Sequence, residues 1–236
     1  MNFADIHFHA LSGSDDGAKT ESDMFAIVDA AYAEGTRHLC LTPHYHPGYY
    51  GHNRERSGAA FETLTRYAKE KYPDLTLAIG NEIHYGSGCE HWLTDGECRT
   101  MNGTDYVLID FSYGESARVI ADALNRLLNT GYRPILAHAE RYTDIRGDLA
   151  FIDDMRQNGV LIQLDADSLL GGFGPLAKRF CRAMLKRRLV DFISSDAHDV
   201  DKRPPLMRPA YDYIVKKHGQ QYADAVCRDN ALALIF

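Results

Sequence analysis

The residues of this chain best suited to chemistry are histidines and carboxylates at the ends of short apolar runs. His7 and His9 close the first run, and Thr42-Pro43-His44 closes the second. Glu82 follows the run 75–80, Asp110 follows 106–109 and His138 follows 134–137. Asp196 and His198 follow 190–195, and an early loop adds Asp15-Asp16-Gly17. Side chains alternate along a strand, so His7 and His9 fall on one face and can chelate one ion. Five imidazoles and several carboxylates gathered at one place would bind several divalent metals.

Each residue alone has a plainer explanation. Asp15-Asp16-Gly17 reads as a turn, because Asp bonds its own backbone there. His44 reads as a loop histidine, Glu82 as a capping carboxylate and Asp110 as the end of a strand. His138 reads as a hydrogen-bonded core histidine, and Asp196-x-His198 as a helix N-cap. Convergence argues against six separate accidents: the nine candidates come from six strand ends and one loop. Nine ligands would serve three metals with about three each, leaving positions open for water and substrate. Glu82 could bridge two ions. The mixed set suits Mn, Fe or Zn and is too nitrogen-rich for Ca or Mg.

The elements that must position these groups follow from periodicity. Strands are expected over 3–7, 38–41, 75–80, 106–109, 134–137, 160–164 and 190–194. Helices are expected over Glu21–Glu34, Arg54–Lys71, 115–129, 148–158, 176–188, Met207–His218 and 221–230. In the first helix Met24, Ile27, Val28, Ala31 and Tyr32 recur at helical spacing, and Gly35 is a C-cap candidate. Repeated β–α alternation predicts an α/β fold with a parallel sheet and outer helices. Seven strands allow an open doubly wound sheet or a closed barrel. Chemically useful residues at nearly every strand end favour the barrel, whose mouth collects those ends.

At 236 residues and 45% apolar content, the chain suits one large domain over 1–236. Its formal net charge is −7, and the densest basic stretch, Lys186-Arg187-Arg188, lies at a predicted helix end. Nucleic-acid binding is not favoured without a basic footprint. Five cysteines form no CxxC pair, which points to free thiols in a reducing compartment. The first strand begins almost at Met1, leaving no room for a signal peptide. No apolar run approaches the roughly 20 residues of a membrane span. The expectation is a cytoplasmic protein without membrane insertion.

The run Asp5-Ile6-His7-Phe8-His9 stands with Asp15-Asp16-Gly17, Thr42-Pro43-His44 and Glu82. His138-Ala139-Glu140-Arg141-Tyr142 and Ser195-Asp196-Ala197-His198 complete the set. Together these motifs resemble the polymerase-and-histidinol-phosphatase (PHP) family. More narrowly, they resemble bacterial manganese-dependent protein tyrosine phosphatases encoded with capsule and exopolysaccharide genes. The resemblance runs from Asp5 to about Asn230. It implies a distorted (β/α)7 barrel of the PHP type and a trinuclear centre, with Mn expected and Fe or Zn possible. The implied ligands are His7, His9, Asp16, His44, Glu82, Asp110, His138, Asp196 and His198. One departure bears on metal spacing: the family usually has Glu where Leu108-Ile109-Asp110-Phe111-Ser112 has Asp, one methylene shorter.

Clustered divalent cations lower the pKa of bound water and stabilise in-line displacement at phosphorus. A phosphate dianion also needs cationic clamps, and the arginine fork matches its oxygens. Arg141, three residues after His138, and Arg203, five after His198, are placed for this, and the resemblance supports both. The alternative for each is a surface ion pair, for instance Arg141 with Glu140 or Asp144. The polar and aromatic segment 45–58, with Tyr45, His46, Tyr49, Tyr50 and His52, reads either as a rim that stacks on a substrate ring or as a surface loop. Cys181 and Arg187 match the Cys-x5-Arg spacing of cysteine phosphatases. The intervening Arg182–Lys186 stretch forms helix, whose N–H groups are already bonded and cannot cradle an anion.

The leading expectation is therefore a metal-dependent protein tyrosine phosphatase acting on a phosphotyrosine protein. By resemblance, that partner is a bacterial tyrosine kinase. The nearest rival is a histidinol-phosphate phosphatase with the same chemistry. An amidohydrolase-like enzyme and a non-catalytic metal-binding module are further alternatives. The essentially full ligand set, varied only at Asp110, argues against the last.

Overall fold

A computed structural model describes residues 2–51 and 53–236. The chain alternates strands and helices as β1 (Phe3–Phe8), α1 (Glu21–Glu34), β2 (Thr36–Leu41), β3 (His44–Tyr45), α2 (Arg54–Lys71), β4 (Thr76–Ile79), β5 (Glu82–His84) and α3 (Cys89–Thr94). It continues with β6 (Tyr106–Asp110), α4 (Ala117–Asn129), β7 (Arg133–Leu136), α5 (Leu149–Gln157), β8 (Leu161–Asp165), α6 (Ala166–Leu170), α7 (Gly174–Lys186) and β9 (Phe192–Ser194). Helix α8 (Met207–His218) leads into α9 (Gln220–Asp224), a π-helical turn (Ala225–Asp229) and α10 (Asn230–Leu234).

Every strand pairing is parallel. One sheet runs β1-β2-β4 and the other β3-β5-β6-β7-β8-β9. The second and third of the seven expected strands are each followed, after a short break, by a further strand that continues their course. Thr42-Pro43 separates β2 from β3, and Gly80-Asn81 separates β4 from β5. Pro43 has no N–H to give a ladder. The joint stays hydrogen-bonded through its neighbours. Phe8 N donates to Thr42 Oγ1 (2.9 Å), Gly80 N to the Leu41 carbonyl (2.8 Å) and Asn81 Nδ2 to the Pro43 carbonyl (2.7 Å).

The last strand position returns to the first. Asp196 N donates to the His7 carbonyl (3.0 Å), and His9 N to the Ala197 carbonyl (2.9 Å). The curled sheet thus becomes the expected distorted seven-stranded barrel. Its interior holds Ile6, Cys40, Ala78, Leu108, Ile135 and Phe192, with Met101, Ala231 and Ile235. Helices α1 and α2 cover β1 and β2 through Met24, Ile27, Val28 and Leu64. The larger apolar layer lies under α4, α5, α7 and α8.

Helix α1 has the expected bounds. Thr20 and Asp23 form a capping box, and Gly35 closes the helix at φ 110°, where a side chain would be strained. Helix α4 starts two residues later than expected because Ser116 takes the N-cap position, accepting from Val119 N. The expected helix 221–230 is interrupted by its π turn. Strands β3 and β5 and helices α3 and α6 were not anticipated. Each is only two to six residues long, too short to express a period. Among the described residues, no helix is long and apolar enough to cross a membrane.

Candidate metal centre

All nine expected ligand residues meet at the C-terminal ends of the strands. His9 is oriented by a neighbour that sequence reasoning read only as a turn. Its Nδ1 lies 2.8 Å from Asp15 Oδ2, and Asp15 also accepts from Gly17 N and His44 N (both 3.0 Å). Gly17 is required here: a Cβ would sit 1.9 Å from the His9 carbonyl oxygen. His7 is held from behind by Gln163 Oε1, 3.3 Å from its Nδ1, and the same oxygen accepts from His138 N at 2.7 Å. The Nε2 atoms of His7 and His9 consequently face each other at 3.0 Å.

Glu82 stands among the rings. Its Oε2 lies 3.3 Å from His7 Nε2, 3.2 Å from His9 Nε2 and 2.8 Å from His44 Nδ1, and its Oε1 lies 2.8 Å from His138 Nε2. Asp196 Oδ1 is 3.4 Å from both His7 and His9 Nε2. Asp16 Oδ1 reaches His44 Nε2 at 3.3 Å and His198 Nε2 at 3.4 Å, and Asp110 Oδ1 is 3.6 Å from His138 Nε2. Three groupings emerge: His9, Asp16, His44 and His198; His7, His9 and Glu82; and Glu82, Asp110 and His138. His9 and Glu82 each belong to two of them.

This donor set fits divalent cations. Two imidazole nitrogens facing each other beside buried carboxylate oxygens cannot all be satisfied by mutual hydrogen bonds. Bonds of about 2.0–2.2 Å to one ion place its ligand atoms roughly 3 Å apart, as these atoms are. The electrostatics agree. Burial opposes a charge on His7, but Glu82 and Asp196 outweigh it and raise its pKa to about 10. His44 is raised well above the usual value against burial, chiefly by Glu82. Burial resists ionisation of Glu82 and Asp196 too, yet the imidazoles, with Arg141 for Asp196, hold both well below the carboxylate range. Without metal, protons must supply the positive charge these carboxylates demand. His138 and Asp196 also sit at φ 32° and 52°, unusual for side-chain-bearing residues.

The two expected arginines meet one carboxylate. Arg141 Nη2 lies 2.8 Å from Asp196 Oδ2 and also pairs with Asp165. Arg203 Nη2 contacts the same Asp196 Oδ2. Neither suggested surface pair of Arg141 forms. Arg141 is buried, Asp144 accepts from Ala117 N, and buried Glu140 accepts from Asp165 N. Burial, then Asp165, pushes the Glu140 carboxyl up to about 7. Both arginines line a cavity of about 400 Å³ with His44, Glu82, His138 and Asp196.

His46, named with the 45–58 segment, lines the same cavity, as do His84, Ser112 and Tyr113, which were given no role from sequence. A signal existed for His84, which alternates with Glu82 across Ile83. Gln163 and Asp165 carried one too, as alternate polar residues in an apolar strand. Tyr50 stacks on His44 (5.5 Å between centroids), and Tyr49, 78% exposed, packs on His46 (4.6 Å). Neither tyrosine is among the residues lining the cavity, and His52 lies outside the described residues. Cys181 is fully buried in α7, and its thiol is pushed well above its usual range by burial, then by Glu140. It is no nucleophile.

With this geometry in place, comparison with known proteins becomes specific. The family model described as capsular polysaccharide synthesis, CpsB/CapC, matches residues 3–236. The chain belongs to the CpsB/CapC family. The tyrosine-protein phosphatase CpsB of Streptococcus pneumoniae is 32% identical over 236 residues, covering 98% of this chain and 97% of CpsB. The crystal structures of YwqE from Bacillus subtilis and CpsB from Streptococcus pneumoniae, unique metal-dependent tyrosine phosphatases, include a chain that matches with TM-score 0.86 and 29% identity. That match covers 94% of this chain and 90% of the other. Histidinol phosphate phosphatase from Lactococcus lactis shares the fold at TM-score 0.53 and 16% identity, covering 82% of this chain and 85% of that one.

Proposed function

We propose that this CpsB/CapC chain is a metal-dependent protein tyrosine phosphatase, with residues 1–236 forming one catalytic domain. One observation carries the reading: Asp196 joins two kinds of machinery. Its Oδ1 faces the imidazole cluster, and its Oδ2 faces both Arg141 and Arg203. A phosphoryl group in the adjoining cavity would meet metal ligands on one side and guanidinium donors on the other. The arginines suit phosphate better than an amide or lactone substrate. The family relatives named tyrosine-protein phosphatase support the leaving group.

The nine side chains from His7 to His198 are assigned as ligands of three divalent ions, with Mn the first to test and Fe or Zn also compatible. Bound ions would supply the Lewis acidity that brings water's pKa toward neutrality and offsets phosphoryl charge. Arg141 and Arg203 bind and orient the phosphoryl oxygens. Asp15 and Gln163 hold His9 and His7 with Nε2 turned inward. Tyr49 and Tyr50 are assigned to the outer rim, where a peptide's aromatic ring would approach. A tyrosyl leaving group has a pKa near 10 and departs more readily than an alkyl alkoxide, which reduces the need for a strong general acid. The proposed substrate is a phosphotyrosine protein, specifically a bacterial tyrosine kinase. The five buried free thiols support a reducing, cytoplasmic setting.

The test is phosphate release by Mn-loaded protein from a phosphotyrosine peptide and from histidinol phosphate, with His138→Ala as control. A higher kcat/KM on the peptide, lost in the variant by at least about 10²-fold, is expected. Preference for histidinol phosphate would replace the substrate assignment. Turnover of neither would overturn the phosphatase reading.

A further inference from the structure

Asp110, one of the nine proposed ligands, has an unusual neighbour. Strands β5 and β6 pair in register so that His84 lies directly opposite Asp110. The Tyr85 amide fixes that register by donating to the Asp110 carbonyl at 2.9 Å. His84 Nδ1 lies 2.8 Å from Asp110 Oδ2. Asp110 Oδ1 points the other way, 3.6 Å from His138 Nε2 and 3.3 Å from the Tyr142 hydroxyl. The cluster able to share an ion here comprises Glu82, Asp110 and His138. His84 is not one of that cluster and contacts the other carboxylate oxygen of Asp110. Its ring is stacked in turn on His46, with centroids 4.0 Å apart and planes at 19°.

We propose that His84 is a positioning residue for the third metal site. Donation from Nδ1 to Oδ2 fixes the rotation of the short Asp110 carboxylate and leaves Oδ1 aimed at the ion shared with Glu82 and His138. A carboxylate held at one oxygen from outside is a better-defined ligand at the other. His46 restrains the His84 ring by stacking. The inference rests on the metal-site reading above, and it concerns one ion of the three.

The experiment is metal titration of the full chain with Mn²⁺, using metal counts by mass spectrometry and affinities by chelator competition. Wild type, His84→Ala, His84→Asn and His84→Ala/Asp110→Glu are compared. In His84→Ala, one ion is expected to weaken by roughly 10–100-fold, with the others unchanged. His84→Asn keeps an N–H donor near the Nδ1 position and is expected to restore most of that affinity. The longer Glu in the double variant is expected to reach the ion with less help and recover part of the loss. Unchanged affinity in His84→Ala would overturn the proposal while leaving the metal centre intact. Equal weakening of all ions in His84→Ala and His84→Asn would also overturn it, by showing general damage to the site. Absence of bound metal in wild type would overturn the metal-site reading itself.

Discussion

Arg141 and Arg203 touch the same Asp196 oxygen but stand in different surroundings. Arg141 is buried, its guanidinium carbon 4.7 Å from the Phe173 ring centre, between two fully buried carboxylates. Arg203 is more exposed, at 37% for its side chain. Removing one partner of a buried ion pair leaves uncompensated charge and costs about 3–5 kcal/mol, whereas a more exposed partner costs far less. Arg141→Ala is therefore expected to lower both kcat/KM and the melting temperature of the metal-free protein. Arg203→Ala is expected to lower kcat/KM by roughly 10²-fold with little change in melting. Calorimetry beside kinetics checks this, and equal melting of the two variants would contradict it. Both positions followed from their motifs in sequence. Which carboxylates hold Arg141 did not, because Asp165 and Asp196 arrive from different strands.

Between elements, the helix pair α1–α2 depends on a polar seam as well as on its apolar face. Asp29 accepts from the Tyr67 hydroxyl (2.7 Å), the Tyr72 hydroxyl (2.9 Å) and Lys71 Nζ (2.7 Å). Partial burial raises its pKa, but these bonds outweigh it and leave the carboxyl below its usual value. The unfolded chain therefore binds the proton first, near pH 4. The stabilisation is present above that pH and is lost as pH falls through the lower folded value. Asp29→Asn is expected to lower the urea midpoint at pH 7 while flattening the wild type's fall below about pH 4. Parallel urea titrations across pH 3–7 would show it, and an unaltered acid slope would count against the seam. Both helices were legible from periodicity, since their bounds agree with the expected ones. The short strands that follow Thr42-Pro43 and Gly80-Asn81 were not. Runs of two or three residues carry no period, and their pairing is decided by partners elsewhere in the barrel.

For the whole molecule, metal binding and folding are linked. The proposed ligands span His7 to His198, so an ion held at the assembled mouth would not bind the unfolded chain equally well. Free metal at 100 times its Kd adds about 2.7 kcal/mol per independent site. Melting temperature should rise with added Mn²⁺ and fall with chelator, and the rise should shrink in acid as protons compete for the imidazoles. A melting temperature indifferent to both reagents would separate the fold from the metal centre.

The amino-acid sequence alone determined the α/β class, the seven strand positions of the barrel, most helix bounds to within two residues, the nine candidate ligands and the two arginines. These are local signals, because each strand carries its own apolar run and ends in its own polar group. Tertiary structure alone decided what those groups do to one another. It turned the Nε2 atoms of His7 and His9 together through Gln163 and Asp15, set Asp196 between imidazoles and guanidiniums, and placed His84 beside Asp110. Such contacts join residues up to 189 positions apart, as His7 and Asp196 are. They depend on barrel closure and strand register, which no local pattern in the chain encodes.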